Sequence, residues 1–147
     1  LRPCQTKQRP LRDDRFDVRE LGRELTQRFG VDEQAARRLL SSWGEAAVTM
    51  FADAPPAQRA RIGTSRYYLC EIARAFSHEC AANLCDVLER RVRVAVFARG
   101  QGLSKLEQLA HVAAAAAGWN ELRVLEETER YRELVRRRYQ VQGAAAP

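Results

Sequence analysis

Three features of the sequence predict an all-α fold, a helical bundle of about six helices. Apolar residues recur at three- and four-residue spacing over nearly all of residues 16–142. No stretch sustains the two-residue alternation of a half-buried strand. Glycines and prolines then interrupt the pattern at intervals that suit helices joined by short loops.

Residues 1–15 carry Pro3 and Pro10 among polar and charged residues and read as a linker or lead-in. The first helix is expected from Asp17 to Phe29, with Val18, Leu21, Leu25 and Phe29 along one stripe and Gly30 as a left-handed stop. Asp32 caps a second helix with the stripe Ala36, Leu39, Leu40, Trp43 and Ala47. Pro55-Pro56 ends it, because proline lacks the N–H and clashes with the preceding turn. Whether Gly44 breaks or only kinks that helix is left open by the pattern. Leu69, Ile72, Ala73, Phe76 and Cys80 mark the next buried face. Asn83 and Asp86 form a variant capping box that opens a helix with Leu84, Val87 and Leu88 inward. Gly100 and Gly102 mark a turn, and Ser104 with Glu107 forms a capping box before Leu106, Leu109, Ala110, Ala113 and Ala117. The run Ala113–Ala117 favours helix and close approach of a neighbour. Gly118 stops it, Trp119 staples the turn, and Asn120 caps a last helix to about Tyr139. Residues 143–147 read as a flexible tail. The helical domain is thus expected over residues 16–142.

At 147 residues, 46% hydrophobic and 30% charged, the chain has the composition of one soluble globular domain. No apolar run reaches the roughly 20 residues that cross a bilayer. The start, Leu1-Arg2-Pro3-Cys4, has neither a Met nor a signal-peptide apolar core, which suggests a piece of a longer chain. The formal charge of +6 is carried by arginine, Lys7 and Lys105 being the only lysines. It permits nucleic-acid, anionic-lipid or phosphate partners and selects none of them. Arg90-Arg91-Val92-Arg93 and Arg136-Arg137-Arg138 stand among acids, as solvated helix faces do. Cys4, Cys70, Cys80 and Cys85 include no C-x-x-C pair, so no zinc site is expected; they read as small apolar core residues in a reducing compartment.

Chemistry-bearing motifs are scarce. Gly100-Gln101-Gly102 lacks the third glycine of a dinucleotide loop, and no strand precedes it, so no FAD site is expected in these residues. A Walker loop is missing, and Ser41, Ser42, Ser65, Ser77 and Ser104 sit in no nucleophile elbow. His78 and Cys80 are two residues apart and diverge on a helix, while His111 falls on an exposed flank. The informative stretch is Tyr67 to Arg93. Glu71 and Glu79 lie two helical turns apart and share a face. Arg91, four residues after Val87 and four before Ala95, falls on or beside the apolar stripe and requires acceptors. Asp86 is placed to pair with Arg90. Glu71, Glu79, Asp86, Arg90 and Arg91 are therefore expected to form a structural ion-pair network fastening two helices. The functional alternative is an anion site for a substrate phosphate.

Tyr68-Leu69-Cys70-Glu71-Ile72, then Glu79, then Asn83 through Arg91, resembles the C-terminal domain of FAD-dependent glycerol-3-phosphate dehydrogenases and alpha-glycerophosphate oxidases. Gly118-Trp119-Asn120, with Glu126 and Tyr131, is similar to that family's glycine-tryptophan turn and closing helix. Val92 departs from the threonine usual there. The resemblance covers roughly residues 66–139 and is weaker over 16–53. It implies a parent enzyme that holds FAD on an N-terminal domain beside a substrate domain and oxidises sn-glycerol 3-phosphate to dihydroxyacetone phosphate. Electrons would pass to quinone or oxygen. It also implies that this domain carries no catalytic, cofactor-binding or metal residue. Its partners would be the FAD and substrate domains of the same chain, with a homodimer as a further assembly. The location would be cytoplasmic, the parent lying peripherally on the cytoplasmic membrane, with no specific nucleic acid bound. The competing readings are a basic helical nucleic-acid-binding module and a helical protein-interaction domain of an unrelated enzyme. No recognition-helix signature supports the first. What the gene encodes before Leu1 distinguishes the second.

Overall fold

The computed structural model describes residues 16–139, and these are helical nearly throughout. The expected lead-in over 1–15 and tail over 143–147 lie outside the described residues. Among the described residues eight α-helices stand where about six were expected. The extra ones come from breaks at backbone positions that helical geometry cannot accommodate. Among the described residues the only β pairing is an isolated antiparallel bridge between Arg61 and Tyr68. No helix among them is long and apolar enough to cross a membrane. The chain divides into two compact units at Ala52–Asp53.

The first unit holds α1 (Val18–Phe29), α2 (Glu33–Trp43) and nearly all of α3 (Ala46–Asp53). Asp17 caps α1 by accepting the N–H groups of Arg19 at 2.8 Å and Glu20 at 3.3 Å. Those two amide bonds hold its carboxyl below the usual range. Gly30, at φ 68°, ends the helix in the left-handed conformation and returns its amide to Thr26. Asp32 caps α2 through the Ala35 amide at 2.9 Å. Gly44 resolves the open question. At φ 61° and ψ −140° it breaks the helix, and α3 restarts at Ala46. Leu25, Leu39, Leu40, Ala47 and Phe51 form the buried face, with Phe29 and Phe51 rings 5.7 Å apart. Val18 is 52% exposed, contrary to its place in the expected stripe, because α1 buries its later turns and Val18 is its first residue.

The second unit contains α4 (Leu69–His78), α5 (Leu84–Asp86), a π turn over Val87–Arg91, α6 (Val94–Phe97), α7 (Leu106–Ala117) and α8 (Glu121–Arg138). Its core gathers Ile72, Leu84, Val87, Leu88, Val92, Val94, Leu106, Leu109, Tyr131 and Val135. α7 packs against α4 and α8, and the fully buried Ala110 and Ala113 keep its side chains small. Ala117, expected on that face, is exposed in the helix's last turn, where Gly118 at φ 68° stops it. Trp119 packs edge-on to Phe76 with centroids 5.2 Å apart, and Asn120 caps α8 through the Arg123 amide.

Three local expectations fail for backbone reasons. α4 ends at His78, and Cys80 takes a left-handed φ of 54°, so its side chain leaves the buried stripe and is exposed. Ser104 does not cap α7. That helix is approached through a tight turn over Arg99–Lys105, in which the Leu106 amide already bonds to the Leu103 carbonyl. The third is Arg91. In an α-helix the residue four after Val87 returns to the same face, but here the Val92 amide reaches the Val87 carbonyl at 2.8 Å, five residues back. The π turn inserts one residue, so Val92 is fully buried and Arg91 is displaced outward, its side chain 40% exposed.

Candidate functional site

The residues singled out around α4 and the π turn fall into three environments. Glu71 is buried, and its carboxylate accepts the Tyr68 amide at 2.8 Å, closing the first turn of α4. Glu79 sits at the C-terminal cap of the same helix, half-buried. Burial pushes its carboxyl up, and the nearby Arg91 charge opposes that shift most strongly. Asp86 lies 3.8 Å from Arg91. The pairing expected with Arg90, four residues on, moves to the fifth residue by the same π insertion that exposes Arg91. Arg90 itself is exposed. Asp86, Arg90 and Arg91 share one wall of a cleft of about 820 Å³ whose other wall, on α8, carries Arg130 and Arg137. The Glu71 carboxylate acts at the other end of α4, at its first turn.

The centre of the polar framework is a residue that sequence reasoning passed over. Glu127, on α8, is completely buried. One carboxylate oxygen accepts the Leu84 amide at 2.7 Å. The other meets Arg123 Nη2 at 2.7 Å and Arg130 Nη1 at 3.0 Å. α5 is only three residues long, and Asn83 Oδ1 accepts the Asp86 amide at its start. Without Glu127 the Leu84 amide would be stranded in the core, a cost of about 1–3 kcal/mol. The two guanidinium groups make the buried charge tolerable. The only sequence signal is the spacing of Glu127 to Arg123 and Arg130, which any charged helix surface shares.

Two further contacts fix this framework. Tyr131, fully buried on α8, donates its hydroxyl proton to the Gln101 carbonyl at 2.6 Å. Gly100, Gln101 and Gly102 are all left-handed there, and a Cβ on Gly102 would stand 2.5 Å from Val94 Cγ1. Burial drives the Tyr131 phenol far above its ordinary range, so it stays a neutral donor. At the far end of α8, Arg138 and the Tyr139 hydroxyl both reach Glu89 on the π turn, at 2.6 and 3.1 Å.

The remaining candidates for chemistry are placed apart. Cys70 is buried, Cys85 half-buried with its thiol pushed up by burial, and Cys80 exposed, so only Cys70 is wholly a core residue. Cys4 lies outside the described residues. His78 Nδ1 is 2.7 Å from the Ser77 hydroxyl, and His111 is exposed. Among the described residues no cluster of three His, Cys, Asp or Glu side chains could hold a metal.

The described residues form an all-helical domain whose buried carboxylate is paired with two arginines. The chain belongs to the family described as the C-terminal domain of alpha-glycerophosphate oxidase, whose model matches residues 4–124. That match reaches further toward the N-terminus than the resemblance read over 66–139, and it stops before Glu126 and Tyr131. Neither the curated proteins nor the solved structures provide a match.

Proposed function

We propose that this chain is the non-catalytic helical domain of an FAD-dependent enzyme that oxidises sn-glycerol 3-phosphate to dihydroxyacetone phosphate. The observation that carries the reading is membership of an oxidase C-terminal-domain family over residues 4–124. In this reading FAD and substrate bind on other domains of the same polypeptide, and electrons leave for quinone or oxygen. The enzyme works on the cytoplasmic side, peripheral to the membrane. Bound flavin would supply the hydride acceptor for that oxidation. The residues described here do not fit that group. The Gly100–Gly102 turn follows no strand, and Gly102 faces Val94 and Leu109 rather than open space.

This chain's own residues serve to hold a rigid cap. Glu127 closes the start of α5, Glu71 closes the start of α4, and Tyr131 ties α8 to the Gly100–Gly102 turn. The exposed arginines of α8 also stand beside acids, with Arg132 near Glu129 and Arg136 near Glu133. That argues against a free basic stripe for nucleic acid.

The test is the absorbance spectrum of the natural-length protein with and without glycerol 3-phosphate. A flavin spectrum bleached by that substrate is expected. A folded, flavin-free protein would overturn the reading. The purified 147-residue chain is expected to show no turnover of glycerol 3-phosphate, and robust turnover by it would contradict the non-catalytic role.

A further inference from the structure

A second cleft, of about 360 Å³, lies between the turn at Ile62–Ser65 and the turn at Ala98–Lys105. Its lining includes Arg99 and Lys105, the hydroxyls of Thr64, Ser65 and Ser104, and no carboxylate. The larger cleft is different, since Asp86, Glu89 and Glu133 line it together with the arginines. Ser65 brings a nearly buried hydroxyl to the cleft lining. It is only 7% exposed, and its oxygen accepts the Tyr67 amide at 3.2 Å. With its oxygen accepting that amide, its hydroxyl proton is available to a group seated in the cleft. An oxyanion seated in the cleft would accept that proton. Gly63 and Gly100, at φ 56° and 65°, have open space where a side chain would stand, so backbone is approachable on both walls. The positive end of the twelve-residue helix α7 begins beside Lys105 and adds to the same field.

We propose that this cleft binds a phosphate group. Lys105 and Arg99 supply the compensating charge, and Ser65, Thr64 and Ser104 supply hydroxyl donors. The volume is near the lower end for small-molecule sites and suits inorganic phosphate or a small phosphate monoester rather than a dinucleotide. The site lies wholly on this chain, so its existence does not depend on the flavoenzyme reading.

The experiment is a ¹⁵N–¹H NMR titration of the 147-residue chain at constant ionic strength. Inorganic phosphate and methyl phosphate are added in separate series, with chloride as the control anion. Saturable shifts confined to the amides of Gly63–Ser65 and Gly102–Leu106 are expected. Tighter binding of methyl phosphate identifies an ester site, and tighter binding of inorganic phosphate identifies a free-phosphate site. Lys105→Gln, at an exposed position, is expected to weaken binding about tenfold, as loss of a charge-assisted contact does. Ser65→Ala is expected to weaken it about threefold or more. Because that change also strips the Tyr67 amide of its acceptor, Lys105→Gln with Arg99→Gln serves as the variant that leaves the buried turn untouched. Shifts that fail to saturate, that spread over the arginines of α8, or that are unchanged in Lys105→Gln would overturn the proposal.

Discussion

Glu127 shows how a single buried carboxylate can hold three groups at once: the α5 amide at Leu84, and the guanidinium groups of Arg123 and Arg130 on its own helix. Glu127→Ala removes the acceptor and leaves the Leu84 amide buried, so a loss of about 2–4 kcal/mol is expected. Glu127→Gln keeps an acceptor oxygen and should lose about half as much. Urea denaturation of both variants checks this, and an alanine variant within about 0.5 kcal/mol of the parent would rule out the capping role. Gly102 and Gly30 form a second contrast. Both are left-handed, but a Cβ at Gly30 meets nothing within 4 Å, whereas at Gly102 it meets Val94 Cγ1 at 2.5 Å. Gly30→Ala should cost about 1 kcal/mol from backbone strain alone, and Gly102→Ala about 3 kcal/mol or more. Equal losses in thermal melts would show that packing at Val94 does not matter. Glu79 gives the pH dependence. Its carboxyl is raised above its unfolded value by burial, so the folded state holds that proton more tightly than the unfolded chain. Its contribution is therefore greatest below the unfolded pKa and is lost as pH rises through the folded one. Relative to the parent, Glu79→Gln should gain stability between pH 4 and pH 7, measured by urea unfolding at each pH. A gain in the opposite direction would mean that the attraction of Arg91 outweighs burial.

At the scale of the element, the π turn decides which residues of Val87–Val92 face the core. It places Val92 where a regular helix would place Arg91, and it moves the partner of Asp86 from the fourth residue to the fifth. Removing one residue should restore α geometry and return Val92 to the fourth position after Val87. Deletion of Arg90, which is exposed, is thus expected to be tolerated, with a cooperative melt within several degrees of the parent. Deletion of Arg132, equally exposed, should rotate everything after it on α8 by about 100° and tear Val135 from the core. Circular dichroism melts of the two deletions distinguish these cases. Comparable collapse of both would show that the extra residue is needed for more than register. Caps and glycine stops were legible here because each is a local bond between near neighbours, as at Asp32, Asn83 and Asn120. Ser104 forms no capping box, because α7 starts one residue later, with Lys105 at its N-cap and no side-chain cap bond.

On the scale of the whole molecule, the second unit draws its apolar cluster from residues 62–139 alone. Residues 53–139 produced separately are therefore expected to unfold cooperatively, with helical circular dichroism. A fragment that shows no transition would mean that residues before Asp53 are required for its core. A cooperative transition would show that the helical domain expected over residues 16–142 contains a self-sufficient folding unit.

The sequence by itself determined the all-α class, most helix ends, most of the inward face of α4, and membership of an oxidase C-terminal-domain family. The structural features follow from side-chain spacing or from bonds spanning a few residues, signals that persist in the unfolded chain's local preferences, whereas the family rests on a resemblance of residue combinations. Only the tertiary structure decided that α2 breaks at Gly44, that Arg91 gives up its inward place to Val92, and that Glu127 caps a helix 43 residues away. A glycine can bend or continue, a π insertion gains stability only from the packing that follows it, and a buried carboxylate looks like any surface one until another element covers it.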